Sequence, residues 1–171
     1  LSAHHTVIRF DQRGSGLSDR DAANLSFEAW VSDLEAVVEA LQLESFILLG
    51  ISQGGSVAIE YTARHPEKVE KLLLFGAYAR RSLKRGASVE EHEALLTLTK
   101  RGWGRDDPTY RQIFTSGFMP EATTEQASWF NELQRVSTSA ETAERLQVIM
   151  AEIDFLHRLP EITARTLVLH A

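Results

Sequence analysis

The sequence predicts an α/β protein with a mostly parallel sheet, helices on both faces of that sheet and an all-helical insertion. Short apolar runs of strand length alternate with amphipathic helical patterns as far as Tyr78. Between Tyr78 and Pro160 several helical patterns occur without a strong strand run, and a last apolar run follows. Alternating strands and helices favour parallel pairing through crossover connections.

Four apolar runs are predicted as strands because they have strand length and contain many β-branched or aromatic residues. They are residues 6–10, 46–49, 71–75 and 165–170. The run at residues 46–49 is apolar throughout, which is typical of a parallel strand covered on both faces.

Helices are predicted where apolar residues recur at three- and four-residue spacing. The first covers residues 26–41, with Ser26 as its N-cap. The second begins at Gly54 or Gly55 and ends at His65, before a proline. In the insertion, helical patterns cover residues 89–100, 124–136 and 140–155.

These patterns divide the chain into a partial core at residues 1–78, a helical cap at residues 79–163 and a returning core strand at residues 164–171. The sequence begins at Leu1 without an initiator methionine and ends at Ala171, directly after the last strand run. We therefore expect a segment of a longer protein, with a genuine small protein as the alternative.

Composition disfavours several partners and chemistries. Lys and Arg total 18 against 24 Asp and Glu, a net charge of −6, which argues against nucleic acid and anionic lipid as partners. The absence of cysteine excludes disulfides and thiolate chemistry and fits a cytoplasmic location. No apolar run approaches the roughly 20 residues of a membrane span. We expect a cytoplasmic protein that acts on a small molecule.

The strongest chemical signal is the stretch Gly50-Ile51-Ser52-Gln53-Gly54-Gly55, between a buried strand and a helix. It matches the G-x-S-x-G nucleophile elbow in letters and in context. Gly50 and Gly54 are expected to prevent collisions around a strained Ser52. The hydroxyl of Ser52 would attack a carbonyl carbon, and the amide of Gln53 would donate to the oxyanion. The alternative is a turn serine on a non-catalytic fold.

Other polar residues have structural interpretations. Asp11 and Arg13 are expected to shape their glycine-rich loop by side-chain to backbone hydrogen bonds. Four basic residues at the start of the cap are expected to form a solvated helix face. They are Arg80, Arg81, Lys84 and Arg85. Neither a dinucleotide fingerprint nor a P-loop occurs, and we expect no cofactor and no metal.

Six aromatic residues of the cap form either a pocket for an acyl group or ring, or the core of the cap itself. They are Trp103, Tyr110, Phe114, Phe118, Trp129 and Phe130. The sequence pattern leaves both interpretations open.

The elbow, the upstream loop Asp11-Gln12-Arg13-Gly14-Ser15-Gly16-Leu17-Ser18 and the helical insertion before a Leu-Val-Leu-His strand together resemble the α/β-hydrolase superfamily. The resemblance implies that the loop follows strand four, that the elbow follows strand five, and that the cap lies between strands six and seven. It implies a serine hydrolase acting on an ester, lactone or similar small carbonyl compound.

The resemblance also implies where the other triad residues lie. The acid and the histidine are expected after Ala171, so this chain alone is expected to be inactive. None of the six histidines has a position relative to the elbow that suits a general base. His170, at the end of the last strand, is expected to lie beside the loop that carries the acid.

Several short stretches resemble bacterial hydrolase domains that are joined to an adenylate cyclase or to a helix-turn-helix DNA-binding domain. They are residues 27–30, 50–55, 76–80, 102–104 and 131–137. This resemblance favours an alternative function, in which the fold senses a small ligand and regulates an attached domain.

Overall fold

The structure is a computed structural model that describes residues 2–81 and 83–170. In chain order they form α1 (Phe27–Ala40), β1 (Phe46–Ile51), α2 (Gln53–Arg64), β2 (Val69–Phe75), α3 (Val89–Gly102), α4 (Thr109–Phe118), α5 (Thr124–Ser137), α6 (Ala140–Ala151) and β3 (Arg165–Leu169). Short 3-10 helices at Leu83–Arg85 and Leu156–Glu161 precede α3 and β3. None of the helices in these residues is both long and apolar enough to cross a membrane.

The sheet is parallel, as the sequence predicted. Its strands lie in the order β1-β2-β3, so β2 is central among the described strands. At the carboxyl ends of the strands, Ile51, Phe75 and Leu169 lie in one row of the register. The segments that follow the three strands therefore emerge at one edge of the sheet.

Helix α1 forms where the apolar spacing predicted it. Ser26 is its N-cap and accepts a hydrogen bond from the Ala29 N–H at 3.1 Å. Such a cap satisfies a donor that has no partner within the helix and contributes about 1 kcal/mol. The buried face of α1 consists of Ala29, Trp30, Val31, Leu34 and Val38.

Helix α2 packs on β1 and β2 and against α1, which covers one face of these two strands. Ile59 and Tyr61 of α2 lie in the main apolar cluster with Leu72 and Leu74 of β2. Fully burying side chains of this size stabilises a fold by about 1.5–3 kcal/mol each. This cluster is the hydrophobic core of the sheet unit.

Most apolar side chains on the opposite face of the sheet are partly exposed among the described residues. Six of these side chains are between 42% and 55% exposed. They are Ile47, Leu49, Ile51, Phe75, Leu167 and Leu169. An all-apolar run shows that both faces of a strand suit burial but does not identify what lies against them.

The predicted strand at residues 6–10 does not form. This segment has no ladder partner in the part of the chain that the structure describes. Val7, Ile8 and Phe10 are 51%, 45% and 46% exposed. A β-branched run has suitable side chains for a strand, but a strand also needs a neighbour to exchange backbone hydrogen bonds with.

The chain divides into two compact units. The sheet unit comprises Asn24–Thr97 and Glu144–Ala171, and the helical unit comprises Leu1–Ala23 and Leu98–Ala143. Leu1 and Ala171 lie outside the described residues. They are the first residue of the predicted core segment 1–78 and the last residue of the predicted core segment 164–171. The helical unit thus contains the middle of the segment predicted as a cap, together with the start of the chain.

In the helical unit, the interface between α4 and α5 is polar. Arg111 is 1% exposed, and its guanidinium donates to the backbone carbonyls of Trp103, Arg105 and Asn131. The hydroxyl of Thr115 donates to Asn131 Oδ1 at 2.6 Å. Because the buried positions of α4 are polar, the apolar spacing of the sequence did not predict this helix.

Of the six cap aromatics that were predicted to form either a pocket or a core, two do not form a core. Phe118 and Trp129 are 68% and 62% exposed, so they do not belong to the core of the helical unit. Trp103 and Phe114 pack edge to face, with 5.7 Å between their ring centroids. A pocket for an acyl group or ring stays a prediction.

In the sheet unit, the carboxylate of Glu60 joins separate elements. It is 5% exposed and accepts from Arg64 Nε at 2.8 Å and from Arg158 Nε at 3.0 Å. Arg64 also forms a bidentate pair with Glu28 of α1, at 2.5 and 2.7 Å. Arg158 lies in the 3-10 helix before β3. Glu60 therefore connects α1, α2 and the segment that returns to the sheet.

Replacing Glu60 with Gln is expected to lower the free energy of unfolding by about 2–3 kcal/mol, because two guanidinium groups lose a buried carboxylate. Glu28→Gln is the matched control, since the Glu28 side chain is 62% exposed and the expected loss is under about 1 kcal/mol. Urea unfolding of both variants measures the difference. Equal losses would contradict a special contribution from the buried carboxylate.

Candidate active site

Ser52 lies between β1 and α2 in a backbone conformation that non-glycine residues rarely adopt. Its φ is 50° and its ψ is −119°, which costs on the order of 1–3 kcal/mol. Ser52 occupies the N-cap position of α2, but its side chain makes no capping hydrogen bond and the residue is exposed. The hydroxyl is therefore presented to solvent rather than used to cap the helix.

The glycines of the elbow have unequal steric roles. A Cβ on Gly50 would lie 2.6 Å from Gly55 Cα and 2.8 Å from Ala58 Cβ, so no side chain fits there. A Cβ on Gly55 would overlap the side chain of Ala77. Beyond its chain neighbours and the adjacent backbone of α2, a Cβ on Gly54 meets no heavy atom of the described residues within 4 Å, which corrects the steric role expected for it. Consecutive helical residues point about 100° apart, so Gly55 faces Ala77 while the adjacent Gly54 points away from it.

The backbone N–H of Gln53 lies at the start of α2. The N-terminus of a helix carries the positive end of the helix dipole. This partial charge favours negative charge that develops beside Ser52. The geometry is compatible with the predicted oxyanion donor.

The carboxyl edge of the sheet brings together Ser52, Gly76 and His170, which follow the three strands. Ser52 N–H donates to Phe75 O at 2.9 Å, and Gly76 N–H donates to Leu169 O at 2.9 Å. At the usual strand spacing, the Cα atoms of Ser52 and His170 are on the order of 10 Å apart, with the chain after β2 between them. We assign His170 no role as the base.

His65 has partners at the opposite end of α2. Its Nε2 lies 3.0 Å from Glu35 Oε1, and its ring centroid lies 4.6 Å from that of Tyr61. At 1.5 Å per residue, the length of α2 separates His65 from Ser52 by roughly 18 Å. Direct proton transfer between these two residues is excluded by that separation.

In the helical unit, Asp11 shapes its loop as the sequence predicted. Its Oδ2 accepts from Leu17 N–H at 2.9 Å, and its carbonyl accepts from the hydroxyl of Ser18 at 2.6 Å. Gly16 has φ +59°, and a Cβ there would overlap the side chain of Asp11. The carboxylate is engaged in holding a turn.

Two of the four basic residues predicted as a solvated helix face pair with acidic residues instead. Arg80 Nη2 lies 2.9 Å from Asp154 Oδ2, and Lys84 Nζ lies 2.5 Å from Glu152 Oε2. The hydrogen bond from Arg80 lowers the pKa of Asp154. These partners are far away in sequence, so charge patterning along the chain did not reveal them.

Two contacts beside the elbow were not predicted from the sequence. Ser56 is fully buried, and its hydroxyl donates to Tyr78 O at 2.6 Å. Ala77 packs where Gly55 leaves room. Two adjacent glycines could have indicated the close approach of Ala77. A serine within a helical pattern does not indicate a hydrogen bond to a distant carbonyl.

Comparison with known proteins gives one family. A family model described as the alpha/beta hydrolase fold matches residues 1–171. The AB hydrolase superfamily protein YisY of Bacillus subtilis (strain 168) is 32% identical over 170 residues, which are 95% of this chain and 62% of that protein. The 2-hydroxymuconate semialdehyde hydrolase of Pseudomonas sp. (strain CF600) is 38% identical over 78 residues, which are 45% of this chain and 28% of that protein.

Solved structures agree with this family. The esterase EaEST from Exiguobacterium antarcticum superimposes with a TM-score of 0.78 at 30% sequence identity, over 92% of this chain and 60% of that structure. The chain spans 62% of YisY and 60% of the esterase, or about three-fifths of the length of each.

Alanine substitutions distinguish the two glycines of the predicted motif. Gly50→Ala is expected to lower the free energy of unfolding by about 2 kcal/mol or more, because its Cβ overlaps backbone atoms. Gly54→Ala is expected to be neutral or to stabilise by up to about 1 kcal/mol, since alanine is preferred over glycine in helices. Chemical denaturation measures both. A loss at Gly54 as large as that at Gly50 would contradict the packing described above.

Proposed function

The chain belongs to the α/β-hydrolase fold family, and we propose that it is a serine hydrolase in which Ser52 is the nucleophile. The backbone of Ser52 carries the proposal, since a non-glycine residue has φ 50° between a parallel strand and a helix. Strain of this kind is found mainly at functional sites. The hydroxyl does not cap α2, so helix capping does not account for the conformation.

The proposed reaction is acyl transfer to water. Ser52 Oγ attacks the carbonyl carbon, and its proton passes to a general base. The carbonyl oxygen becomes an oxyanion, which the Gln53 N–H stabilises. The bond to the leaving oxygen then breaks, and that oxygen takes the proton. Water attacks the acyl-enzyme in the same way and releases the acid. We assign no described residue as the base or as the acid that orients it.

We propose a small ester, lactone or similar carbonyl compound as the substrate. Two similar proteins are named as an esterase and as a 2-hydroxymuconate semialdehyde hydrolase, and these names support a carbonyl substrate for this chain.

Labelling by a fluorophosphonate probe tests the role of Ser52. Attack by Ser52 Oγ forms an O–P bond, fluoride leaves, and the hydroxyl proton passes to the base. In the full-length protein that carries this chain, we expect Ser52→Ala to abolish labelling, because the attacking oxygen is removed. Mass spectrometry of the labelled peptide locates the adduct.

Ser128→Ala is the matched control, because Ser128 is an exposed helical serine with ordinary backbone geometry. It should label like the unchanged protein. Equal labelling of Ser52→Ala and the unchanged protein would remove Ser52 from its proposed role. Ligand binding without labelling or turnover would favour the alternative, a sensor domain that regulates an attached cyclase or DNA-binding domain.

A further inference from the structure

The chain at the end of β2, residues 75–78, touches the elbow at three points within the sheet unit. We call it the clamp segment. The carbonyl of Phe75 accepts from the N–H of Ser52 at 2.9 Å. The side chain of Ala77 fills the space beside Gly55, where no Cβ would fit. The carbonyl of Tyr78 accepts from the hydroxyl of Ser56 at 2.6 Å.

The hydroxyl of Ser56 has no other use in the helix. Ser56 is 0% exposed and lies in the first turn of α2. A buried serine commonly returns its hydrogen bond to a carbonyl four residues earlier, as Thr62 does to Ala58 O at 2.7 Å. Ser56 instead bonds across to Tyr78, so it ties the start of α2 to the clamp segment.

The chain beyond the clamp segment is anchored too. Arg81 N–H donates to Ile153 O at 3.0 Å, and Phe155 N–H donates to Ala79 O at 2.7 Å. The pair formed by Arg80 and Asp154, at 2.9 Å, lies between these two hydrogen bonds. The clamp segment is therefore held at both of its ends, by β2 and by this antiparallel bridge.

We propose that Ser56 is a positioning residue for Ser52, which acts by holding the clamp segment against the elbow. The inference rests on the proposed function of Ser52 as a nucleophile. A strained backbone persists only where surrounding contacts over-determine it, and the three contacts of the clamp segment do so from one side. Without the bond from Ser56, the first turn of α2 and Ser52 gain freedom to relax.

Relaxation of Ser52 affects the reaction more than binding. Attack on an acyl carbon depends steeply on the position of the attacking oxygen. Ser56 is fully buried, so it offers no surface to a substrate. Its loss should lower kcat and leave KM nearly unchanged.

The test is made in the full-length protein that carries this chain. Ser56→Ala is expected to slow fluorophosphonate labelling of Ser52, and to lower kcat for p-nitrophenyl butyrate, by about 5- to 20-fold, with KM within about two-fold of its original value. Thr62→Val is the matched control. It removes a hydroxyl of equal burial from the same helix without touching the clamp segment, and both rates should hold.

Ala77→Gly provides a second variant in case Ser56→Ala fails to fold. It removes the side chain that packs beside Gly55, keeps the hydroxyl of Ser56, and should also slow labelling. A folded Ser56→Ala protein that labels at the original rate, or slows no more than Thr62→Val, would overturn the inference. Labelling that survives Ser52→Ala would overturn the proposed function itself, which separates the two failures.

Discussion

The left-handed backbone of Ser52 depends on three segments that approach more closely than ordinary side chains allow. The end of β1 meets the first turn of α2 where Gly50 faces Gly55. The chain after β2 then lies against the same turn, beside Ala77. Parallel pairing of β1 and β2 sets this geometry, because it brings both carboxyl ends to one edge. The exposed hydroxyl is a consequence of that close approach.

Each unit is also organised around one buried charged side chain with several partners. Glu60 accepts from two guanidinium groups in the sheet unit, and Arg111 donates to backbone carbonyls in the helical unit. A buried charge is tolerated only when its hydrogen-bonding capacity is used. Such groups constrain the arrangement of elements that are far apart in the sequence. Apolar contacts alone would allow these elements more arrangements, because they are not directional.

The sequence predicted a helix correctly where its boundaries and buried face depend on local residues. The helix predicted at residues 26–41 forms as Phe27–Ala40, because its cap and its apolar face are local. The helix predicted at residues 140–155 ends at Ala151, because residues beyond it pair with the chain near Arg80. Helix α4 was not predicted because its buried residues are polar. Non-local pairing explains the early end of the helix at Ala151, and polar burial explains why α4 was not predicted.

The sequence by itself determined the family, the order of α1, β1, α2 and β2, and the position of Ser52 between a strand and a helix. These features follow from local spacing and from a short motif. The tertiary structure alone decided that Gly55 rather than Gly54 is sterically required and that Ser56 reaches Tyr78. These facts depend on distances between residues remote in the chain, which local residue patterns do not encode.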